Sequence, residues 1–278
     1  MPFFESFDKT LINYESTAGI YPHTLIILHG WAVGRIENYE SFRQHLDCFH
    51  LIFWDACNHG RSGSRARAKI GDLANDLRHF LTEIYRGKYP VTVIGHSMGA
   101  LTLFEYVGRF GTDMISKMVI IDQTPKLLTN REWRLGMFGD CPAARNKEFI
   151  KAFNADIVKG IIYLTGFFLH KEIPARSSDQ ARFTVSNMPA LTPEAASGLV
   201  SLWKSFTAKD FRPLVKKIAI PTLLLYGARS QFYKIETGEW MRDNIAGSRL
   251  KIFPAGDHNP FLGQPEEFFQ GIKEFVLE

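Results

Sequence analysis

The sequence contains few cysteines. Among its 278 residues there are three, Cys48, Cys57 and Cys141. Three thiols cannot all pair in disulfides, and their spacing matches no metal-ligand pattern. We therefore expect a cytoplasmic protein, in a reducing environment, that uses neither a disulfide framework nor a metal site. No residue pattern implies an organic cofactor.

Long apolar runs and a strong net charge are also missing. No stretch reaches the ~18 uncharged apolar residues of a membrane span, and residues 1–8 lack the basic start and apolar core of a signal peptide. The formal net charge of +4 is too small to indicate nucleic-acid binding. The densest basic stretch, 61–69, follows a turn and is interpreted as a solvated loop. Internal repeats are absent, and the oligomeric state stays open.

Short apolar runs alternate with amphipathic segments along most of the chain. The runs predict six buried strands, at 25–28, 51–54, 91–94, 118–121, 222–226 and 249–253. Apolar positions at helical spacing predict helices at 70–85, 98–110 and 265–276. This alternation is typical of α/β architecture, with a mostly parallel central sheet flanked by helices. Residues 3–15 predict an antiparallel hairpin before it.

One region breaks the alternation. Residues 125–212 contain helical patterns and no strand-like run. Apolar residues between Phe149 and Leu164 predict one helix, and residues 193–206 predict another. A connection of this length between two core strands needs its own structure. We predict a helical cap at 125–212, inserted into a core formed by 1–124 and 213–278.

A serine flanked by glycines lies where a predicted strand meets a predicted helix. The segment is Gly95-His-Ser97-Met-Gly99. In such a turn the serine adopts a strained backbone conformation, small neighbours avoid clashes, and the hydroxyl projects above the sheet. The N-terminus of the following helix favours a developing negative charge. This context predicts a nucleophilic serine.

The sequence resembles the α/β-hydrolase superfamily over essentially its whole length. Four segments carry the resemblance, in the family's order: His29-Gly30-Trp31, Asp55-x-x-x-His59-Gly60-Arg61-Ser62, Gly95-His-Ser-Met-Gly99 and Gly256-Asp257-His258. The resemblance implies an α/β-hydrolase fold with an inserted helical cap. It says little about the substrate, because this fold hosts many reactions.

The resemblance also implies roles for individual residues. Ser97 is the nucleophile, and His258, in a short loop after the last strand, is the base. The backbone N–H groups of Trp31 and Met98 form the oxyanion hole. His29, His59 and His96 are not expected to act as bases, and His59 is given a structural role.

The acid of the triad departs from the family's usual pattern. Many members carry it in a Gly-x-x-Asp segment after the seventh strand, but here that segment ends in Ser230. Asp122, at the end of the preceding core strand, occupies a position that some branches use, and we predict it as the acid. Asp257 is adjacent to His258 and would point elsewhere. A Ser–His pair that only hydrogen-bonds Ser230 remains an alternative.

The predicted cap is rich in large apolar residues, including Phe168 and Phe183. Such residues are typical of pockets for apolar or aromatic small molecules. No basic cluster predicts a phosphate or coenzyme A binder. The candidate substrate contacts are Trp31, His96, Trp133 and Phe138.

Three functions fit these residues. The first is a serine hydrolase that cleaves a carboxylic ester, lactone or thioester through an acyl-enzyme on Ser97. The second is a cofactor-independent dioxygenase of the type that cleaves quinolone rings, in which a His258–Asp122 pair deprotonates a hydroxyl group and Ser97 forms no covalent bond. The third is a binding protein that retains the triad.

Overall fold

The computed structural model of the protein describes residues 2–32, 34–85, 87, 90–167 and 191–278. Phe168 and Phe183, predicted above to belong to an apolar cap, lie outside the described residues. Eight strands form one sheet. They are β1 (Phe3–Glu5), β2 (Leu11–Ser16), β3 (Thr24–Leu28), β4 (His50–Trp54), β5 (Val91–His96), β6 (Ile115–Ile121), β7 (Thr222–Gly227) and β8 (Arg249–Phe253).

Helices connect the strands and cover the sheet. They are α1 (Glu40–His45), α2 (Ile70–His79), α3 (Met98–Phe110), α4 (Ala143–Ala155), α5 (Ile157–Thr165), α6 (Pro193–Thr207), α7 (Arg212–Val215), α8 (Ile235–Asn244), α9 (Pro260–Gly263) and α10 (Pro265–Leu277). A π-helical turn, Phe80–Ile84, continues α2, and 3₁₀ turns lie at Ile36–Tyr39 and Met137–Gly139. Within the described ranges, no helix is long and apolar enough to cross a membrane.

The strand order is β1-β2-β4-β3-β5-β6-β7-β8. β1 and β2 form an antiparallel hairpin, and β2 is antiparallel to β4. All pairs from β4 through β8 in this order are parallel. The predicted hairpin and the six predicted strands are confirmed. β5 lies near the middle of the sheet, so the residues after it stand at the centre of the carboxyl edge, where α/β proteins bind ligands.

Apolar side chains cover both faces of the sheet. Along β3 every residue is buried, with Ile26 and Leu28 in the core on one side and Leu25 and Ile27 in the core on the other. The first core includes α2 and α3, and the second includes α1 and α10. Because both faces are buried, the strands read as continuous apolar runs in the sequence.

The described part of 125–212 is helical where it has regular structure, with α4, α5 and α6 between β6 and β7. The prediction of one helix from Phe149 to Leu164 is wrong, because Asp156 divides it. Asp156 has extended backbone angles (φ −162°, ψ 109°) and its side chain accepts a hydrogen bond from the N–H group of Lys159. A helix cannot continue through that conformation, and the carboxylate instead caps α5.

Candidate active site

Ser97 occupies a sharp turn between β5 and α3, with φ 53° and ψ −116°. The flanking glycines make the turn sterically allowed. A β-carbon on Gly99 would lie 2.2 Å from the carbonyl oxygen of Leu28, and one on Gly95 would lie 2.7 Å from the backbone of Ala100. The strained conformation presents the Ser97 side chain at the carboxyl edge of the sheet, beside a helix N-terminus.

His258 and Asp122 form a close pair. His258 Nδ1 lies 2.6 Å from Oδ2 of Asp122, which follows β6 and is fully buried. His258 lies in the loop after β8 and lines the same cavity as Ser97. Asp257 has other partners, since its Oδ1 accepts the N–H group of Asn259. The structure therefore pairs His258 with Asp122, in the acid's position, and places Ser97 and His258 on the wall of one cavity.

Further donors surround the Asp122 carboxylate. The hydroxyl of Ser230 lies 2.6 Å from Oδ2, and the N–H group of Gly227 lies 3.4 Å from Oδ1. Burial raises the pKa of Asp122 above its usual range, and the hydrogen bonds from His258, Ser230 and Gly227 act in the opposite direction. Ser230 thus contacts the acid rather than replacing it.

The loop that contains Trp31 is fixed by hydrogen bonds on both sides of this residue. The N–H group of Gly30 donates to the Tyr39 hydroxyl at 3.2 Å, and that of Ala32 donates to Nε2 of His59 at 2.9 Å. The N–H group of Trp31 itself has no acceptor among the described residues. This amide is left free next to the cavity that Trp31 lines.

Met98 supplies a second free amide. It is the first residue of α3, so its N–H group has no partner within the helix, and no described residue accepts from it. Met98 directly follows Ser97, and the loop that leads to Trp31 approaches Ser97 closely, since a β-carbon on Gly30 would lie 3.4 Å from that of Ser97. Two free donors beside a nucleophile are what an oxyanion hole requires.

Two buried histidines behind the loop are neutral and structural. His29 accepts the N–H group of Ala56 at Nε2, so its Nδ1 carries the proton and donates to the carbonyl of Gly30 at 2.8 Å. His59 likewise accepts at Nε2, and its Nδ1 donates to the carbonyl of Cys57 at 2.9 Å. Burial lowers the pKa of His29, and it lowers that of His59 to about 3. Neither ring is placed to act as a base.

His96 connects the two loops of the site. Its Nε2 lies 3.0 Å from the carbonyl oxygen of His258 and must donate to it, so its Nδ1 accepts from the Tyr39 hydroxyl at 2.6 Å. Burial lowers the pKa of His96 well below its usual range. The ring lines the cavity, as predicted for a substrate contact. Because both nitrogens are occupied, it offers a substrate a surface and no hydrogen bond.

The cavity in front of Ser97 has a volume of about 230 Å³ and a largely apolar wall. Its apolar lining comprises Trp31, Met98, Leu101, Leu127, Met137, Ile161, Leu164, Trp203, Phe206, Phe232, Phe261 and Leu262. The Trp31 side chain, a predicted substrate contact, donates from Nε1 to the carbonyl of Leu199 at 3.0 Å. Asp257 is the acidic residue of the described lining, which contains no lysine or arginine. This surface suits a neutral apolar ligand.

Two predicted substrate contacts lie away from the cavity. Trp133 is buried outside the lining; its Nε1 donates to the carbonyl of Lys126 at 2.8 Å and its ring packs edge-on against Trp240. Phe138 lies behind Phe232, with ring centroids 5.6 Å apart, and Phe232 faces the cavity instead. The assignment of Trp133 and Phe138 to the pocket is therefore corrected: neither lines the cavity, and Phe138 packs behind Phe232 of its wall.

A family model described as alpha/beta hydrolase fold matches residues 23–265. The chain belongs to the alpha/beta hydrolase family. The pimeloyl-(acyl-carrier protein) methyl ester esterase of Chromobacterium violaceum is 23% identical to it over 258 residues, 91% of this chain and 93% of the relative. The non-heme haloperoxidase of Rhodococcus erythropolis is 25% identical over 271 residues, 93% of each chain.

Solved structures share the alpha/beta hydrolase fold. An esterase from Exiguobacterium antarcticum superposes with a TM-score of 0.83 at 22% identity, over 99% of both chains. At these identities the likeness concerns the fold, and the chemistry of this chain rests on its own site.

Two residues of this alpha/beta hydrolase site were missed by sequence reasoning. Tyr39, in a 3₁₀ turn, links the Trp31 loop to His96. Gln231 accepts the N–H group of His258 at 3.0 Å. Neither residue belongs to a motif with fixed spacing, and their partners are distant in sequence. The one available signal was the position of Gln231 directly after Ser230, the unusual residue of its segment.

Proposed function

We propose that the protein is a serine hydrolase that cleaves a carboxylic ester, lactone or thioester with a small-to-medium apolar or aromatic acyl group. The observation that carries the proposal is the 2.6 Å contact between His258 and the buried Asp122, in the loop that faces Ser97 across one cavity. Nε2 of His258 takes the proton of Ser97 as Oγ attacks the acyl carbon. That proton then passes to the leaving alcohol or thiol, and water resolves the acyl-enzyme.

Asp122 and the two free amides assist at different steps. Asp122 holds the proton of neutral His258 on Nδ1 and stabilises the imidazolium that forms. The amides of Trp31 and Met98 hydrogen-bond the oxyanion of the tetrahedral intermediate, each worth about 3 kcal/mol by analogy with measured donors. These amides have no other acceptor in the described part of the chain, so no bond is broken when the oxyanion forms.

The cavity supports a neutral apolar substrate. Its aromatic and aliphatic walls favour a hydrocarbon or ring, and Asp257 disfavours an anionic group at the rim. Relatives named as esterases support an ester linkage as the bond that is cleaved. The identities of the acyl and leaving groups are to be found with panels of esters, lactones and thioesters.

The dioxygenase remains a second candidate. The observation that favours it is the pair of aromatic rings on the cavity wall, where the ring centroids of Trp31 and Trp203 lie 4.7 Å apart. Such walls fit a heteroaromatic ring, and the His258–Asp122 pair is placed to remove a hydroxyl proton. Oxygen uptake with a hydroxylated heteroaromatic compound distinguishes this activity from hydrolysis.

Intact-mass analysis after treatment with a small fluorophosphonate tests the proposed function. Wild-type protein is expected to gain one adduct, because a working base and oxyanion hole activate Ser97. The adduct and ester hydrolysis should be lost in Ser97→Ala. They should be kept in Ser248→Ala, whose serine lies in a distant turn and bonds the carbonyl of Arg242.

Failure of folded wild-type protein to react would contradict the proposal. Oxygen consumption with hydroxylated heteroaromatic compounds would then be the next measurement. Retention of hydrolysis in Ser97→Ala would contradict it equally.

A further inference from the structure

Ser230 is fully buried, and its hydrogen bonds define the direction of its proton. Its Oγ lies 3.2 Å from the backbone nitrogens of both Phe232 and Tyr233, which can only donate. The single hydroxyl proton therefore points to the remaining neighbour, Oδ2 of Asp122, at 2.6 Å. The same Oδ2 accepts from Nδ1 of His258.

With the proton of neutral His258 on Nδ1, as the proposed mechanism requires, each described polar neighbour of the Asp122 side chain is a donor. His258 and Ser230 donate to Oδ2, and the N–H group of Gly227 faces Oδ1. In that tautomer a protonated Asp122 would carry an O–H group with no acceptor opposite it among the described residues, in a buried site. The arrangement therefore favours the ionised carboxylate, against the effect of burial.

We infer that Ser230 is a positioning residue of this site, which directs Oδ2 of Asp122 at Nδ1 of His258 and keeps the carboxylate ionised. The inference rests on the proposed function. It assigns a task to the position where many family members carry the acid itself. Ser230 touches neither substrate nor the reacting atoms, and it acts through Asp122 alone.

The other titratable groups around the pair do not compete with it. Tyr226 and Tyr233 lie on the β7 side of Asp122, and burial raises the pKa of each well above its usual range. His96 packs on His258 with ring centroids 4.9 Å apart and is neutral. Asp257, adjacent to His258 on the cavity wall, is a further acidic neighbour. Comparison with Asp257→Asn separates its effect on the acidic limb of a pH–rate profile from that of the His258–Asp122 pair.

Ser230→Ala removes one donor from the carboxylate and leaves the amides of Phe232 and Tyr233 unpaired. A hydrogen bond to a charged group corresponds to a factor of about ten to a hundred. We expect kcat to fall by about that factor with KM little changed, and the acidic limb of kcat/KM to move to higher pH. Ser230→Thr keeps the hydroxyl and should restore both. Ser248→Ala is the matched serine control.

A second readout needs no turnover. The proton shared by Nδ1 of His258 and Asp122 is expected to give a low-field proton resonance, which should shift or be lost in Ser230→Ala and remain in Ser230→Thr. Should Ser230→Ala not fold, Ser230→Cys, whose thiol is a weak donor, replaces it in both measurements. A pH limb and a resonance unchanged from wild type in a folded variant would overturn the inference.

The two proposals fail separately. Wild-type protein that does not react with the fluorophosphonate refutes the serine hydrolase, while the resonance still reports whether Ser230 orders the pair. Labelled wild-type protein with an unaltered Ser230→Ala variant refutes the role of Ser230 alone.

Discussion

At the scale of single residues, the site shows how a carboxylate can be supplied from a neighbouring strand. β6 and β7 are parallel neighbours, with Ile121 opposite Leu225, so Asp122 leaves its strand close to the segment after β7 and its carboxylate reaches Ser230. A carboxylate on either strand can orient the imidazole, provided that it reaches Nδ1 of His258. Ser230, on the β7 side, then becomes a donor to that carboxylate.

Asp122→Asn should lower kcat of ester hydrolysis by about 10⁴, with KM little changed, because an amide at this position favours the wrong tautomer of His258. Steady-state kinetics with a neutral ester measure the effect. Asp243→Asn, which alters an exposed carboxylate of α8 that pairs with Arg242, is the matched control and should stay within a few-fold of wild type. A rate for Asp122→Asn as high as that of the control would remove Asp122 from the triad.

At the scale of elements, the turn between β5 and α3 depends on close approach of its backbone to β3. The carbonyl of Leu28 lies where a side chain at Gly99 would have to be. Since that neighbour is backbone, it cannot rotate away as a side chain would. The position of Ser97 is therefore coupled to the packing of α3 on the central strands.

Gly99→Ala should reduce the free energy of unfolding by at least the ~1–3 kcal/mol typical of overpacking, and should also impair labelling of Ser97. Chemical denaturation and the fluorophosphonate reaction measure the two effects. Gly271→Ala, in α10, is the control, because its new methyl group would lie 3.6 Å from the Lys251 side chain. Equal stability of the two variants would show that the turn tolerates a side chain.

Sequence patterns predicted elements well where local composition decides them. The strands are apolar because both faces of the sheet are buried. The Gly95–Gly99 segment is specific because the backbone leaves no room for a side chain at its two glycines. The division of 149–164 at Asp156 was missed, since its apolar spacing continues across the break. Trp133 and Phe138 were misplaced because spacing does not tell which aromatic ring of a layered wall faces the cavity.

At the scale of the whole molecule, the site is held by neutral histidines as much as by apolar packing. His29 and His59 fix the Trp31 loop, and His96 joins that loop to the loop of His258. All three rings are buried and each uses both nitrogens. A proton added to His29, His59 or His96 would replace an acceptor by a donor and break one of these links.

We expect the free energy of unfolding to decrease as the pH falls below about 6.5. His59, with a native pKa of about 3, binds a proton readily only when unfolded, so stability is lost from pH 6.5 downward. In His59→Gln the free energy of unfolding should fall less steeply between pH 6.5 and 5 than in wild type, by at most about 1.4 kcal/mol per pH unit. Urea denaturation at each pH measures it.

The half-buried His23 provides the control, since His23→Gln changes a ring outside this hydrogen-bond network. Asp76 and Asp122, whose pKa values burial raises, contribute in the opposite sense. They are present in both variants and cancel in the comparison. Identical slopes for His59→Gln and wild type would contradict a neutral buried His59.

The indole rings of Trp31 and Trp203 lie 4.7 Å apart and inclined by 49°, both on the cavity wall. Excited states of chromophores at this distance and angle couple, and the coupling produces a paired circular-dichroism signal. Trp31 belongs to the loop beside Ser97, and Trp203 belongs to α6. A molecule that enters between loop and helix changes the angle or distance of the two rings, so the protein carries its own optical reporter of cavity occupancy.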